Sequence, residues 1–103
     1  MGYYIKKPIT IQATQFGDRD FIEWTQWVQK YYNEKQWSYR FDENTGIPNG
    51  FIVKTLEGEM AAGPGDYLIM GVKGEIYPCR KDIFEETYEK VYINKGAEAK
   101  WQD

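Results

Sequence analysis

The chain has 103 residues, with 13 basic and 16 acidic side chains and a formal net charge of −3. Its length predicts a single domain, and its hydrophobic fraction of 42% excludes a disordered or collagen-like chain. The absence of His and the single Cys exclude His-dependent nucleophilic catalysis, a Cys/His zinc site and an intrachain disulfide. We therefore expect no catalytic residue, metal or cofactor.

The opening segment lacks the apolar core of a signal peptide, and no window is apolar enough to span a membrane, so we predict a cytoplasmic protein. Alternating apolar residues then predict a strand over 9–15. Phe21, Trp24, Val28 and Tyr31 follow at steps of three and four, which predicts one long helix over 19–34.

Alternation resumes in Trp37, Tyr39 and Phe41, and again over 51–55, so the turn-forming residues 43–50 between them predict a long hairpin. A short helix is expected to begin near Asp82. Further short strands are predicted at 60–62, 67–70, 76–79 and 88–93, separated by glycine-rich turns.

These elements predict an α+β fold, in which one long helix packs on a mainly antiparallel sheet of five to seven strands in two layers. The domain is expected to cover residues 1–93, and 94–103 is predicted to be a polar tail. Residues 41–70 carry one basic and five acidic side chains, and no basic stripe is present elsewhere. Duplex nucleic acid is therefore not an expected partner, and neither is a membrane.

Lys73, Arg80 and Lys81 surround Tyr77 in the sequence. A cation beside an aromatic ring suits a nucleotide-type ligand, because the charge contacts phosphate and the ring stacks on the base. Trp37 is a second candidate for stacking. The alternative for the same residues is a solvated surface on which Lys pairs with Glu.

The aromatic residues of the predicted helix are too widely spread for one buried face, because Trp27 and Tyr32 lie off the stripe formed by Trp24, Val28 and Tyr31. Either a large core covers them or they contact a partner. Exposed Trp and Tyr are common at interfaces, so Trp24, Trp27, Tyr31 and Tyr32 form a candidate protein interface.

Other features have a structural and a chemical interpretation. The glycines at 63, 65, 71 and 74 could form an anion-binding nest, but the spacing is not that of a phosphate-binding loop, and hairpin turns are favoured. Cys79 is expected to be a small apolar residue because no His can activate it. Pairs of carboxylates, such as Glu85 with Glu89, give little indication of glycoside hydrolysis.

Several segments together resemble a known family. They are Tyr4 to Ile9, Thr55 to Gly58, Gly65 to Ile69, Gly71 to Glu75, Tyr77 to Cys79 and Asp82 to Tyr88. Over about residues 4–91 the chain resembles the PGDY-type family of small bacteriophage and prophage proteins. That family commonly has Lys-Pro before the last Asp, where this chain has Arg80 and Lys81. The resemblance implies a phage accessory protein and no reaction or active-site residue.

These observations predict a non-enzymatic antagonist of host defence that sequesters a nucleotide-type signalling molecule in the host cytosol, with a homo-oligomer interface as one location for the site. The alternative is a protein–protein inhibitor, of the anti-CRISPR type for example, that engages a host defence protein through acidic and aromatic surface. An enzyme and a virion component are further alternatives that the sequence leaves open.

Overall fold

The computed structural model describes residues 2–5, 7–17, 21, 26–93 and 99–101. Within these ranges no helix is both long and apolar enough to cross a membrane. The elements in chain order are β1 (Gln12–Gln15), α1 (Gln26–Asn33), β2 (Trp37–Phe41), β3 (Pro48–Thr55), β4 (Gly58–Ala62), β5 (Tyr67–Met70), β6 (Ile76–Cys79), α2 (Lys81–Thr87), β7 (Val91–Ile93) and β8 (Ala99–Trp101).

The strands form two antiparallel three-stranded sheets and one antiparallel pair. The first sheet has the order β1–β5–β6, the second has the order β2–β3–β4, and β7 pairs with β8. The turn of residues 63–66, which follows β4, takes the chain from the second sheet to the first. There β5 pairs with β1, with Gln15 opposite Tyr67.

The main core lies between the two sheets and α1. In the second sheet Trp37 stands opposite Val53, and all of the core residues are at most 7% exposed. Because residues opposite each other in an antiparallel pair share a face, the aromatic side of the hairpin faces inward. The core comprises Phe21, Val28, Trp37, Phe51, Val53, Ala62, Leu68 and Ile76.

The first sheet is buried on both faces. Leu68 and Ile69 are neighbours on β5, so their side chains point to opposite faces, yet both are 0% exposed. On the face of Ile69, the ring of Tyr67 stacks on Phe84 of α2 with centroids 3.8 Å apart. Phe84 stacks in turn on Tyr88 at 4.8 Å. Helix α2 therefore packs aromatic rings against this outer face.

Helix α1 is tied to both sheets by hydrogen bonds. The indole Nε1 of Trp37 donates to the carbonyl oxygen of Val28 at 2.8 Å, and the hydroxyl of Tyr31 donates to the carbonyl oxygen of Gly74 at 2.6 Å. Helix α1 ends where Lys35 adopts a φ of 62°, in the left-handed region. The N–H of Gln36 then bonds to the carbonyl of Tyr31, which is the pattern of a Schellman cap.

The predicted fold is therefore wrong in its main statement. The described residues form two three-stranded antiparallel sheets with two short helices, rather than one long helix on a five- to seven-stranded sheet. The physical reason is that β5 pairs with β1 and not with its predecessor β4, so the meander divides in two. Residues 19, 20 and 22–25 of the predicted helix lie outside the described residues.

Several local predictions are confirmed. The β2–β3 hairpin is present, although β3 begins at Pro48, and β5 and β6 have the predicted bounds. The short helix near Asp82 is α2. The first strand is shorter than predicted, because residues 9–11 precede β1. Strand β8 lies within the segment that we predict as a polar tail.

Candidate functional site

The predicted ligand-binding cations do not converge. Lys73 lies in the turn between β5 and β6, whereas Arg80 and Lys81 follow the far end of β6. Four strand residues separate the two positions, which is roughly 13 Å of backbone. The guanidinium of Arg80 forms an exposed ion pair with Asp82 at 2.8 Å. A single phosphate therefore has no preformed cluster of these cations to bind.

Tyr77, the predicted stacking ring between them, takes part in the packing of the first sheet. It is half-buried on β6 opposite Ile69, on the face that α2 covers. Partial burial, followed by hydrogen bonding to the hydroxyl of Tyr88, raises the pKa of Tyr77 to about 12. Its packing in this aromatic layer limits the use of the ring as an open stacking surface.

Trp37 requires a correction. Its side chain is 1% exposed, and its ring centroid lies 5.0 Å from those of Tyr32 and Tyr39. Because its Nε1 also donates to Val28, both the ring and its polar atom are used inside the core. The indole is therefore unavailable for stacking on a ligand.

The four aromatic residues of the predicted protein interface differ in their roles. Trp24 lies outside the described residues. Tyr31 is held by its hydrogen bond to Gly74, and Tyr32 packs against Trp37. Trp27 is half-buried and lines a groove at the surface. Of the three described residues, Trp27 is thus the one whose position suits contact with another molecule.

The groove beside Trp27 is the best candidate site. It has a volume of about 620 Å³ and is lined by Gln12, Gln26, Trp27 and Lys30. Gln12 is the first residue of β1, and the other three belong to α1, so the hydrogen bonds that hold α1 to both sheets also fix this wall. The two glutamines and Lys30 are exposed. The ammonium of Lys30 lies 5.6 Å from the ring centroid of Tyr31.

This groove brings together three kinds of group that suit a planar, negatively charged ligand. The indole offers an apolar surface for stacking, the ammonium offers a positive charge, and the two amides offer hydrogen-bond donors and acceptors. Among the four lining residues that the structure describes, Lys30 is the one ionisable group, and these four include no pair that could act as general acid and base. The arrangement is suited to holding a ligand.

A second recess is lined by Phe16, Gly17, Phe21, Tyr39 and Pro48 and has a volume of about 370 Å³. The lining residues that the structure describes are mainly aromatic, and none of them is charged. Such a recess offers little that could orient a charged ligand.

The glycine-rich turns do not provide an anion-binding nest. The backbone N–H groups of all four glycines are used within the chain, at distances of 2.8 to 3.1 Å. Their acceptors are Asp66 Oδ2 for Gly63, the carbonyl of Phe16 for Gly65, that of Glu75 for Gly71 and that of Gly71 for Gly74. The interpretation as hairpin turns is therefore correct for residues 71–74, which join β5 to β6, but wrong for residues 63–66, because β4 and β5 belong to different sheets.

Asp66 organises the junction between the two sheets. Its Oδ2 accepts the N–H of Gly63 at 2.9 Å, and its Oδ1 accepts the N–H of Lys81 at 3.1 Å. The second bond supplies a cap for α2, since Arg80 at the N-cap position makes no side-chain cap. One carboxylate thus connects the turn after β4 to the start of α2.

Cys79 lies near this carboxylate. Its burial, and then the negative charges of Asp66 and Asp82, raise the pKa of the thiol. A thiol in these surroundings is a poor nucleophile. Across the described residues, no group of three or more His, Cys, Asp or Glu side chains is placed to hold a metal ion.

No protein-family model, curated protein or solved structure matches the chain. The resemblance to PGDY-type phage proteins therefore stays a prediction.

Sequence reasoning missed Gln12, Gln26 and Lys30 and placed Trp27 at a protein interface. The missing information was the approach of β1 to α1. The local signal was only that Gln26 and Lys30 lie off the buried stripe of the helix.

Proposed function

We propose that this protein is a phage accessory protein that binds a nucleotide-type small molecule without converting it, and so antagonises host defence in the host cytosol. The observation that supports this proposal is the groove at which Trp27, Lys30 and two glutamine amides meet. The phage origin rests on the resemblance alone, and the ligand class rests on the chemistry of the groove.

In this proposal each lining residue has a separate role. The indole of Trp27 stacks on the base, and the ammonium of Lys30 pairs with a phosphate. The amides of Gln12 and Gln26 read the polar edge of the base, because an amide can donate and accept at the same time. This groove is in a different place from the predicted cluster around Tyr77. The proposed chemistry of ligand recognition is the same.

Isothermal titration against a panel of linear and cyclic adenine and guanine nucleotides tests the proposal. Stacking on one base contributes about 1–3 kcal/mol, so Trp27→Ala should weaken binding roughly 5- to 150-fold. Because Trp27 also packs against the core, Trp27→Phe provides a variant that keeps a ring and should retain most of the affinity.

Lys30→Gln tests the charge, with Lys73→Gln as the matched control. Both lysines are exposed, but only Lys30 lines the groove. We expect Lys30→Gln to lower the affinity and its salt dependence, and Lys73→Gln to leave both unchanged. The proposal fails if no nucleotide of the panel gives heat, or if Lys73→Gln has the larger effect.

A second candidate function is inhibition of a host defence protein, and the β3–β4 hairpin favours it. At its turn Leu56 is fully exposed beside the exposed carboxylates of Glu57 and Glu59. An apolar tip within an acidic surface suits a basic groove of a protein target. Here the charge reversal Glu57→Lys with Glu59→Lys should abolish capture of a host protein and leave nucleotide binding unchanged.

A further inference from the structure

The segment before β1 exposes its apolar residues almost completely. We call residues 2–5 and 7–11 the arm. Tyr3, Tyr4 and Ile5 are 97%, 96% and 93% exposed, and Ile9 is 52% exposed. The described part of the arm contains neither helix nor strand. Adjacent large apolar side chains in such a position indicate a surface that another molecule covers.

The strand that follows the arm has a free edge. Strand β1 pairs with β5 only, so within the described residues its other edge is unpaired. Proteins often protect such an edge with Lys or Pro, but β1 has the sequence Gln-Ala-Thr-Gln and carries no charge. The N–H and C=O groups along this edge can therefore pair with an extended segment of another chain.

We infer that the arm of a second copy of this chain pairs with the free edge of β1, and that the exchange is reciprocal in a two-fold dimer. Each copy has one arm and one β1 edge, so a two-fold axis lets both pairings form at once and closes the assembly. Arm and edge are consecutive in the chain, and antiparallel pairing across the axis therefore places each arm beside the partner's β1.

The area of the arm suits a stable dimer. Two tyrosine side chains bury about 400 Å² per copy. Two arms, together with the surfaces that they cover, then reach about 1,600 Å², which is the usual size of a specific interface. The pairing also affects the groove, since Gln12 lines it and begins β1. The arm of the second copy passes Gln12 and adds a wall to the groove; this last step rests on the proposed function.

Light scattering of the full chain tests the dimer without any ligand. We expect twice the chain mass of 12.2 kDa for the wild type, and a single chain mass for the variant Tyr3→Ser, Tyr4→Ser and Ile5→Ser. Leu56→Ser is the matched control, because Leu56 is equally exposed but lies at the β3–β4 turn. A monomeric wild type, or a dimeric triple variant, overturns the inference.

Disulfide trapping tests where the arm lies. Cys79→Ser removes the native thiol, and Gln12→Cys is then combined in turn with Tyr3→Cys, Tyr4→Cys or Ile5→Cys. In an extended chain these positions lie roughly 23–30 Å from residue 12, so a disulfide between them must join two copies. We expect at least one pair to give a covalent dimer, and Tyr4→Cys with Leu56→Cys to give none. A dimer by mass in which none of the three pairs forms a disulfide refutes the pairing with β1. A failed nucleotide titration leaves both measurements unaffected.

Discussion

Substitution of Asp66 tests how the two sheets and α2 are joined. The carboxylate accepts N–H groups from Gly63 and Lys81, which are 18 residues apart in the chain. Asp66→Ala removes both bonds. Asp66→Asn retains the size of the side chain, but one carboxylate oxygen becomes an amide that cannot accept, so one bond is lost.

The size of the effect follows from the two bonds. A hydrogen bond to a charged group contributes about 1.5–3 kcal/mol, and the lower value applies here because Asp66 is only half-buried. Asp66→Ala should therefore lower the free energy of unfolding by about 3 kcal/mol, and Asp66→Asn by about 1.5 kcal/mol. In a domain of this size the alanine variant should lose roughly 12–24 °C in Tm.

Urea and thermal denaturation followed by circular dichroism measure these losses, and hydrogen exchange at the amide of Lys81 reports the cap directly. Asp42→Asn is the matched control. Its Oδ1 also accepts two N–H groups, from Asn44 and Thr45, but both lie in its own turn. If Asp66→Asn destabilises the protein no more than Asp42→Asn does, Asp66 does not connect the sheets to α2.

Three further predictions concern the backbone and one phenol. Lys35→Gly should raise the free energy of unfolding by about 1 kcal/mol in urea denaturation, because Lys35 has a φ of 62° and glycine adopts this left-handed conformation without strain. Lys35→Ala should give no gain, because alanine has a Cβ as lysine does. Gly50→Ala should lower the free energy of unfolding by about 1–3 kcal/mol, because an added Cβ would overlap the carbonyl oxygen of Ala62. Gly63→Ala should be tolerated, since an added Cβ there would lie 3.7 Å from its nearest neighbour. Folding raises the pKa of Tyr77 from 10.0 to about 12. The protonated phenol therefore makes its full contribution to the free energy of unfolding below pH 10, and this contribution is lost as the pH rises through 12. The stability difference between wild type and Tyr77→Phe should therefore shrink over that interval, and a constant difference would contradict the shift.

Local patterns in the sequence predicted the structural features that depend on residues close together in the chain. Alternation of Trp37, Tyr39 and Phe41 with polar residues identified the β2–β3 hairpin, because a half-buried strand has a period of two. The partner of β5 depends on residues more than fifty positions away, such as Gln12 opposite Met70, and no local pattern contains that information. The predicted single sheet failed for this reason.

The candidate site was harder to predict than the strands. Proximity in sequence suggested a cluster of Lys73, Tyr77 and Arg80, but a strand places its two ends far apart. The groove instead joins Gln12 to Lys30 across two elements. Trp27 was predicted at a protein interface because it lies off the buried stripe, and that stays a prediction; its neighbours in the groove could be identified only from the tertiary structure.

The position of β5 in the middle of the first sheet decides how the molecule can open. Its two neighbours come from opposite parts of the chain, β1 from the beginning and β6 from near the end, and both of its faces are covered. Successive N–H groups of a strand point to opposite neighbours, and the carbonyl of Asp66 bonds to Phe16, so the amide of Leu68 faces β1 and that of Ile69 faces β6. Fraying of β1 therefore exposes the amide of Leu68 first and leaves that of Ile69 protected. The amide proton of Ile69 should exchange with solvent only when the whole domain unfolds.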